Sequence, residues 1–111
     1  MTLSQVVQTL RTSPYHEYRE WAAQNLCTVD GWSNPDVVQA LATAARSDQT
    51  PTVRAECVKT LGKIRCGTMV VLNTMQAAKV DPDSRVRKEA EKALQLITGV
   101  DTAGLRVPSG H

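Results

Sequence analysis

The sequence is poor in several residue types, and each shortage excludes a class of protein. It has no phenylalanine, two tryptophans, two tyrosines, two histidines and three cysteines among 111 residues. Cys27, Cys57 and Cys66 form an odd, widely spaced set that fits neither a disulfide framework nor a zinc site. We therefore expect reduced thiols and a cytoplasmic protein. No apolar run approaches the ~20 residues of a membrane-spanning helix, and the first residues lack the basic leader and apolar segment of a secretory signal.

Charge of one sign is not in excess either. Thirteen Lys and Arg residues against eleven Asp and Glu residues give a net charge of +2, spread evenly along the chain. Such a balance favours neither nucleic acid nor an anionic membrane as a partner. With 41% apolar and 22% charged residues, the composition is that of an ordinary soluble domain.

What the sequence does contain is an internal repeat. A shift of 33 residues from Asn34 onward superimposes eleven identical residues, where chance would give roughly two, and a period of this size is typical of a solenoid. The first unit follows the pattern with an offset of 35, because its loop around residues 28–34 is two residues longer.

Each unit reads as two helices separated by a turn. Apolar residues recur at helical spacing, Pro35 follows a capping residue, and Gly67 and Gly99 are predicted helix ends. The predicted helices of the later units lie at about residues 35–46, 51–63, 68–79 and 83–97. We predict an all-α solenoid of three hairpins and six helices, forming one domain over residues 1–98 with repeats at about 1–33, 34–66 and 67–98. Residues 99–111 are predicted to be a flexible tail.

The second helix of each unit carries a recognisable motif. Asp48-x4-Val53-Arg54-x2-Cys57-x3-Leu61 and Asp81-x4-Val86-Arg87-x2-Ala90-x2-Ala93-Leu94 resemble the "D…VR..A..AL" signature of HEAT repeats, and the resemblance covers about residues 3–97. The short period is similar to that of phycobilin-lyase-type HEAT repeats. The resemblance implies a HEAT/armadillo-like superhelix used as a binding scaffold. It also implies a structural ladder between adjacent turns, formed by Asp48, Arg54, Asp81 and Arg87.

All four aromatic residues fall within eighteen residues of the first unit. Tyr18 takes the position of a core valine and is expected to be buried. Trp21 and Tyr15 replace polar residues of the later units, so they either cover the open end of the solenoid or anchor a partner. Trp32 lies in the lengthened loop and either packs over the first hairpin or joins the site. With their polar neighbours, the candidate partner-binding residues are Tyr15, His16, Arg19, Trp21 and Trp32.

A second candidate surface is basic. On the second helices, the side expected to face solvent includes Ala23, Val58 and several lysines. A basic strip that could bind phosphate or another anionic partner would consist of Lys59, Lys63, Arg85, Lys88 and Lys92. Glutamates alternate with these lysines at i+3 and i+4 spacing, which is equally typical of a solvated helix face.

Catalytic and metal-binding motifs are not found. His16 has no cysteine or carboxylate at the spacing of a metal site, and Asp81-Pro82-Asp83 lacks the glycine and closing glutamate of a calcium loop. No nucleophile motif or phosphate-binding loop is present. We therefore predict no catalytic residue, no metal and no cofactor, and a protein that is not an enzyme.

The last helix is expected to leave the solenoid uncapped. Leu96 replaces the Lys63 of the preceding unit, so this end would be covered by the tail, by a second copy of the chain or by another protein. The sequence thus predicts a non-catalytic protein–protein interaction scaffold that binds another protein, with self-association through the uncapped end as one form. The alternative is a scaffold that binds an anionic ligand or nucleic acid through the lysine strip. An accessory role beside a tetrapyrrole-handling enzyme is suggested only by the repeat family.

Overall fold

The computed structural model describes residues 1–99, and this part of the chain contains six α-helices and no strand. The helices are α1 (Leu3–Thr12), α2 (His16–Asn25), α3 (Pro35–Ser47), α4 (Pro51–Ile64), α5 (Met69–Ala78) and α6 (Ser84–Thr98). The predicted all-α fold with three hairpins is confirmed, and the helix bounds agree with the prediction to within a residue or two. The predicted tail lies outside the described residues, apart from Gly99.

Local sequence signals explain where the helices begin and end. Thr2 and Gln5 form a reciprocal capping box at the start of α1, and Asp83 caps α6 by accepting the backbone N–H of Arg85 at 2.8 Å. Gly99 ends α6 in the left-handed conformation, as predicted. The prediction of Gly67 as the end of α4 is wrong by two residues, since Arg65 adopts the left-handed conformation there with φ 57°.

The six helices form two layers. The first helices of the hairpins, α1, α3 and α5, pack side by side, and the second helices, α2, α4 and α6, form the other layer. Helix α4 lies at the centre, because it contacts α2, α6, α3 and α5. The core between the layers is built from small and branched residues, with Leu10, Leu41, Leu61 and Met75 among the largest fully buried side chains.

The second helices are buried on two sides rather than one. Ala23 and Val58, which we expected to face solvent, are fully buried, so that expectation is wrong. Thr60 Oγ1 donates a hydrogen bond to the carbonyl of Ala23 at 2.9 Å, which joins α4 to α2. Each second helix of a solenoid packs against its own partner helix and also against the next hairpin, so small residues line both contacts.

The lengthened loop after α2 closes over the end of α4. A methyl group at Gly31 would lie 2.7 Å from both Cys66 Cβ and Ile64 Cγ2, so only glycine fits this contact without displacement. Within the loop, Asp30 accepts hydrogen bonds from the Trp32 backbone at 3.1 Å and from Ser33 Oγ at 2.9 Å, and these bonds hold the pKa of its carboxyl below the ordinary value. The two extra residues of the first unit thus form a fixed cover rather than a loose insertion.

The cysteines differ sharply in accessibility, which predicts their reactivity. Cys57 is fully buried, and burial strongly raises the pKa of its thiol. Cys27 is only partly buried. Because alkylation needs an accessible thiolate, we expect iodoacetamide to modify Cys27 at least about 100-fold faster than Cys57 in the native protein. Peptide mass spectrometry over a time course measures both rates, and a denatured sample is the control. Equal native rates would contradict the packing around α4.

Candidate functional site

Arginine–aspartate contacts link each hairpin to the next. Arg19 binds Asp48 with two hydrogen bonds, from Nε at 2.9 Å and from Nη2 at 3.2 Å. Arg54 binds Asp81 in the same way, at 3.0 and 3.2 Å. These four side chains are at most 13% exposed. Two parallel bonds between a planar guanidinium and a carboxylate fix both distance and orientation, so each pair sets the angle between neighbouring hairpins.

The same arginines also hold the turn of their own hairpin. Arg19 Nη1 donates to the Ser13 carbonyl at 2.9 Å, and Arg54 Nη1 donates to the Asp48 carbonyl at 2.8 Å. Arg87 Nη1 makes the equivalent bond to the Asp81 carbonyl at 2.7 Å but is exposed. The residues predicted as a structural ladder therefore lie at these contacts. Arg87 differs from the others in bonding only within its own hairpin among the described residues.

Arg19 does not belong in the candidate partner-binding set, and its prediction as a partner-binding residue is wrong. Its side chain is only 10% exposed and is fully used by Asp48, Ser13 and Thr50, so it is not accessible to a partner. The alignment of Arg19 with Arg54 at an offset of 35 was the sequence signal that should have assigned it to the ladder.

The remaining aromatic candidates are exposed. The exposed fractions are 60% for Tyr15, 58% for Tyr18, 42% for Trp21 and 71% for Trp32. Tyr15 and Tyr18 contact each other edge to face, with ring centroids 5.5 Å apart. The expectation that Tyr18 is buried is wrong, because in the described part of the chain no hairpin packs on this side of α2, whereas the valines at the equivalent positions, Val53 and Val86, are fully buried.

The structure brings three of the aromatic residues together and leaves the fourth apart. Tyr15, Tyr18 and Trp21 belong to the first two turns of α2 and the residue before it. Trp32 lies on the loop that follows the other end of this helix. His16 also lies on α2, where Nδ1 is 2.7 Å from Glu20 Oε2 and Nε2 is 3.1 Å from Glu17 Oε1. The expectation that no carboxylate stands at ligand spacing from His16 is therefore wrong, since residues four apart on a helix are neighbours. His16 is an exposed histidine held between two carboxylates at the border of the aromatic cluster.

The basic strip is partly neutralised. Arg85 binds Asp83 through Nε at 3.0 Å and Nη2 at 2.8 Å, and this pairing holds the pKa of Asp83 well below its usual range and raises that of Arg85. Lys92 Nζ lies 3.6 Å from Glu89 Oε1. Lys59, Lys63 and Lys88 are exposed. Two of the five cations thus lie beside a carboxylate, and the other three are exposed lysines on α4 and α6.

The two ends of the stack differ in polarity. At the end formed by α6, the positions of the inward-facing Val58 and Gly62 of α4 are taken by Glu91 and Gln95. Leu96 is 41% exposed, and its Cδ1 would lie 3.6 Å from a methyl group added at Gly62. The expectation of an uncapped end at α6 stays a prediction, since exposed Leu96 lies there together with the polar Glu91 and Gln95.

Among residues 1–99, no three His, Cys, Asp or Glu side chains are grouped closely enough to hold a metal ion. In the same part of the chain, none of the helices has both the length and the apolar character needed to cross a membrane.

Stacked helical hairpins of 33–35 residues, joined by a repeated arginine–aspartate contact, define a helical-repeat protein of the α-solenoid class. The family model for HEAT repeats matches residues 3–95. The chain therefore belongs to the HEAT-repeat family, as its second-helix motif predicted. No match was found among curated proteins. The finer similarity to phycobilin-lyase-type repeats, and the accessory role that it suggests, stay predictions.

Proposed function

We propose that this HEAT-repeat protein is a non-catalytic, cytoplasmic scaffold that binds another protein through the aromatic cluster of α2, formed by Tyr15, Tyr18 and Trp21. The observation that carries this proposal is the exposure of three neighbouring large aromatic side chains, two on α2 and one at its N-cap. HEAT repeats are in general protein-interaction scaffolds. The cytoplasmic location rests on the three free cysteines.

The cluster has the physical character of a binding hot spot. Tyrosine and tryptophan are enriched at the centres of interfaces, because they bury a large area at a small cost in side-chain entropy. The helix that carries them is firmly placed, since its own residues Ala22 and Ala23 and its C-cap Leu26 are fully buried. Arg19 also joins it to the next hairpin through Asp48. His16 and Glu20 supply a polar border. A rigid helix with aromatic centre and polar border can bind a partner with little loss of conformational freedom.

Trp32 is proposed as a separate, secondary contact. It is the most exposed of the four aromatic residues, and the hydrogen bonds of Asp30 to its backbone and to Ser33 fix the loop that presents it. A partner that covers the whole length of α2 would reach both the cluster and Trp32.

The second candidate function is a scaffold for an anionic ligand or nucleic acid. The exposed lysines of neighbouring helices, Lys59, Lys63 and Lys88, favour it, whereas the neutralised Arg85 and the nearby Glu89 do not. Binding through such a strip would weaken steeply with salt, because counterions are released when phosphates are neutralised. An interface centred on aromatic residues would depend much less on salt.

Capture of partners from a lysate of the source cells, with and without nuclease, tests the proposal. The Tyr15→Ala/Trp21→Ala variant is compared with a Lys59→Ala/Lys88→Ala variant, since all four side chains are exposed and neither change should affect folding. We expect a stoichiometric, nuclease-resistant protein whose retention falls at least about tenfold in the aromatic variant only. Nucleic acid that is retained by the aromatic variant and lost by the lysine variant would support the second function instead.

A further inference from the structure

The lengthened loop of the first unit lies against the end of α4, and this contact brings Trp32 close to Arg65. The Gly31 backbone is so near α4 that an added methyl group would lie 2.7 Å from Cys66 Cβ and from Ile64 Cγ2. Trp32 directly follows Gly31 in the chain. Arg65 directly precedes Cys66. Since consecutive Cα atoms are about 3.8 Å apart, the Cα atoms of Trp32 and Arg65 are at most about 13 Å apart.

Arg65 has an unusual backbone conformation for its residue type. It caps α4 in the left-handed conformation, with φ 57°, and this conformation favours glycine because a side chain crowds the backbone there. The corresponding helix of the next hairpin, α6, ends on Gly99 with φ 72°. A cation near the end of a helix complements its dipole, but Lys63 already supplies one in the last turn of α4. Neither the cap nor the dipole therefore accounts for arginine at this position.

The side chains of Trp32, Lys63 and Arg65 are exposed, and none of them makes a hydrogen bond, ion pair or ring contact with a described residue. The backbone that holds Trp32 is nevertheless fixed. Its N–H donates to Asp30, and Asn34 Nδ2 donates to the Asp30 carbonyl at 2.9 Å. We define the loop patch by Trp32, Lys63 and Arg65. It presents an aromatic ring and two cations on an ordered backbone.

We propose that the loop patch binds an acidic segment of a partner protein, in which a large apolar side chain lies between carboxylates. The apolar side chain would cover Trp32, one carboxylate would accept two hydrogen bonds from the Arg65 guanidinium, and another would pair with Lys63. An extended segment rises about 3.3 Å per residue, so about four residues span the patch. This inference rests on the proposed function in taking Trp32 as a contact of a partner protein, and it names the chemistry of the segment that binds there.

The charges around the loop patch favour an acidic peptide over nucleic acid. Single-stranded nucleic acid needs a basic groove that follows its backbone, whereas the patch offers two cations. Asp30 and Asp36 flank Trp32 in the sequence and are exposed, so they would repel the phosphates on either side of a base stacked on Trp32. A short peptide can place its carboxylates beside Lys63 and Arg65 alone, away from both aspartates.

A defined probe tests the binding. It is a short fluorescent peptide in which a leucine lies between pairs of glutamates, and the same peptide with glutamine in place of glutamate is its control. Because a segment on three side chains buries less area than a standard interface, we expect a dissociation constant of about 10–100 μM by fluorescence anisotropy. In the full chain with Trp21→Phe, Trp32 is the sole tryptophan. Its emission should shift to the blue as the unlabelled acidic peptide binds.

Arg65→Gly separates binding from folding. Glycine suits the left-handed cap, so we expect a higher urea midpoint together with binding at least about tenfold weaker. Trp32→Ala should weaken binding to a similar extent. Lys88→Gln is the matched control, because it removes one exposed cation that lies outside the loop patch. It should leave the affinity within about twofold of the wild type.

Equal losses of binding in Arg65→Gly and Lys88→Gln would overturn the proposal, because they would indicate attraction by net charge alone. So would equal affinity for the glutamine peptide, the absence of any binding of the acidic peptide, or tighter binding of an oligothymidylate through the same three residues.

The result is separable from that of the capture experiment. A chain that captures a protein through Tyr15 and Trp21 but does not bind the acidic peptide overturns this inference and leaves the scaffold function. A chain that binds the acidic peptide through Trp32 and Arg65 but captures nothing through Tyr15 and Trp21 supports this inference and contradicts the proposed role of the aromatic cluster.

Discussion

Replacing Arg54 by alanine is expected to lower the free energy of unfolding by about 3–4 kcal/mol. The guanidinium makes two hydrogen bonds to Asp81 and one to the Asp48 carbonyl, in a site where the paired side chains are only 10–13% exposed. Its removal leaves a nearly buried carboxylate without a counter-charge and a carbonyl without a donor. Urea unfolding followed by circular dichroism measures the change, which is a large part of the 5–15 kcal/mol typical of a domain.

Arg87→Ala is the matched control for Arg54→Ala. Arg87 occupies the equivalent position of α6 and keeps the bond to its own turn, but it is exposed and has no aspartate of a following hairpin among the described residues. We expect it to cost less than about 1 kcal/mol. The double variant Arg54→Ala/Asp81→Ala should recover part of the lost unfolding free energy, because it also removes the Asp81 carboxylate that Arg54→Ala leaves without a counter-charge. Equal costs for Arg54 and Arg87 would contradict a role for the contact between hairpins.

Gly62→Val is expected to lower the free energy of unfolding by about 3 kcal/mol. Even a methyl group at this position would lie 2.8 Å from both Cα and Cβ of Ala93, so α4 and α6 must move apart to admit a side chain. Valine has a higher helix propensity than glycine, and this gain of a few tenths of a kcal/mol is too small to offset the overlap. Thermal and urea unfolding measure the net effect.

Gly67→Val provides the comparison for Gly62→Val. The residue is exposed, and an added Cβ would meet only Ile97 Cγ2, at 3.3 Å. A small shift of one flexible side chain suffices there, so the cost should stay below about 1 kcal/mol. If both valine variants were equally stable, the close approach of α4 and α6 would not be a feature of the folded protein.

The repeat made the fold predictable, because each signal occurs more than once. Two units carry the same residue type at the same positions, which excludes an accidental pattern. Examples are Val53 and Val86, Leu61 and Leu94, and the paired aspartates and arginines. What a single unit could not show was the second buried side of the even-numbered helices. Ala23 and Val58 lie outside the main apolar stripe of their own helices and are nevertheless fully buried, and the hydrogen bond from Thr60 to the Ala23 carbonyl shows that the next hairpin packs on this side of α2.

The candidate site was harder to predict, because equivalence between repeats fails at the ends of a stack. Tyr18 occupies a core position by alignment and is exposed, since no hairpin of the described chain packs on it. Arg19 was assigned to the surface from its aromatic neighbours, whereas its partner Asp48 is distant in sequence and becomes adjacent only in the folded stack. The exposure of Trp21 agrees with its polar counterparts, and the position of Trp32 depends on a loop that no other unit shares.

The middle hairpin has a property that bears on how such a chain can change length. It alone among the three carries an aspartate that receives an arginine from the unit before it and an arginine that reaches an aspartate in the unit after it. A duplicate of residues 34–66 inserted beside the original would meet complementary neighbours on both sides. Insertion in the middle would therefore leave the exposed aromatic residues of α2 at one end of the stack and the polar Glu91 and Gln95 of α6 at the other, whatever the number of hairpins between them.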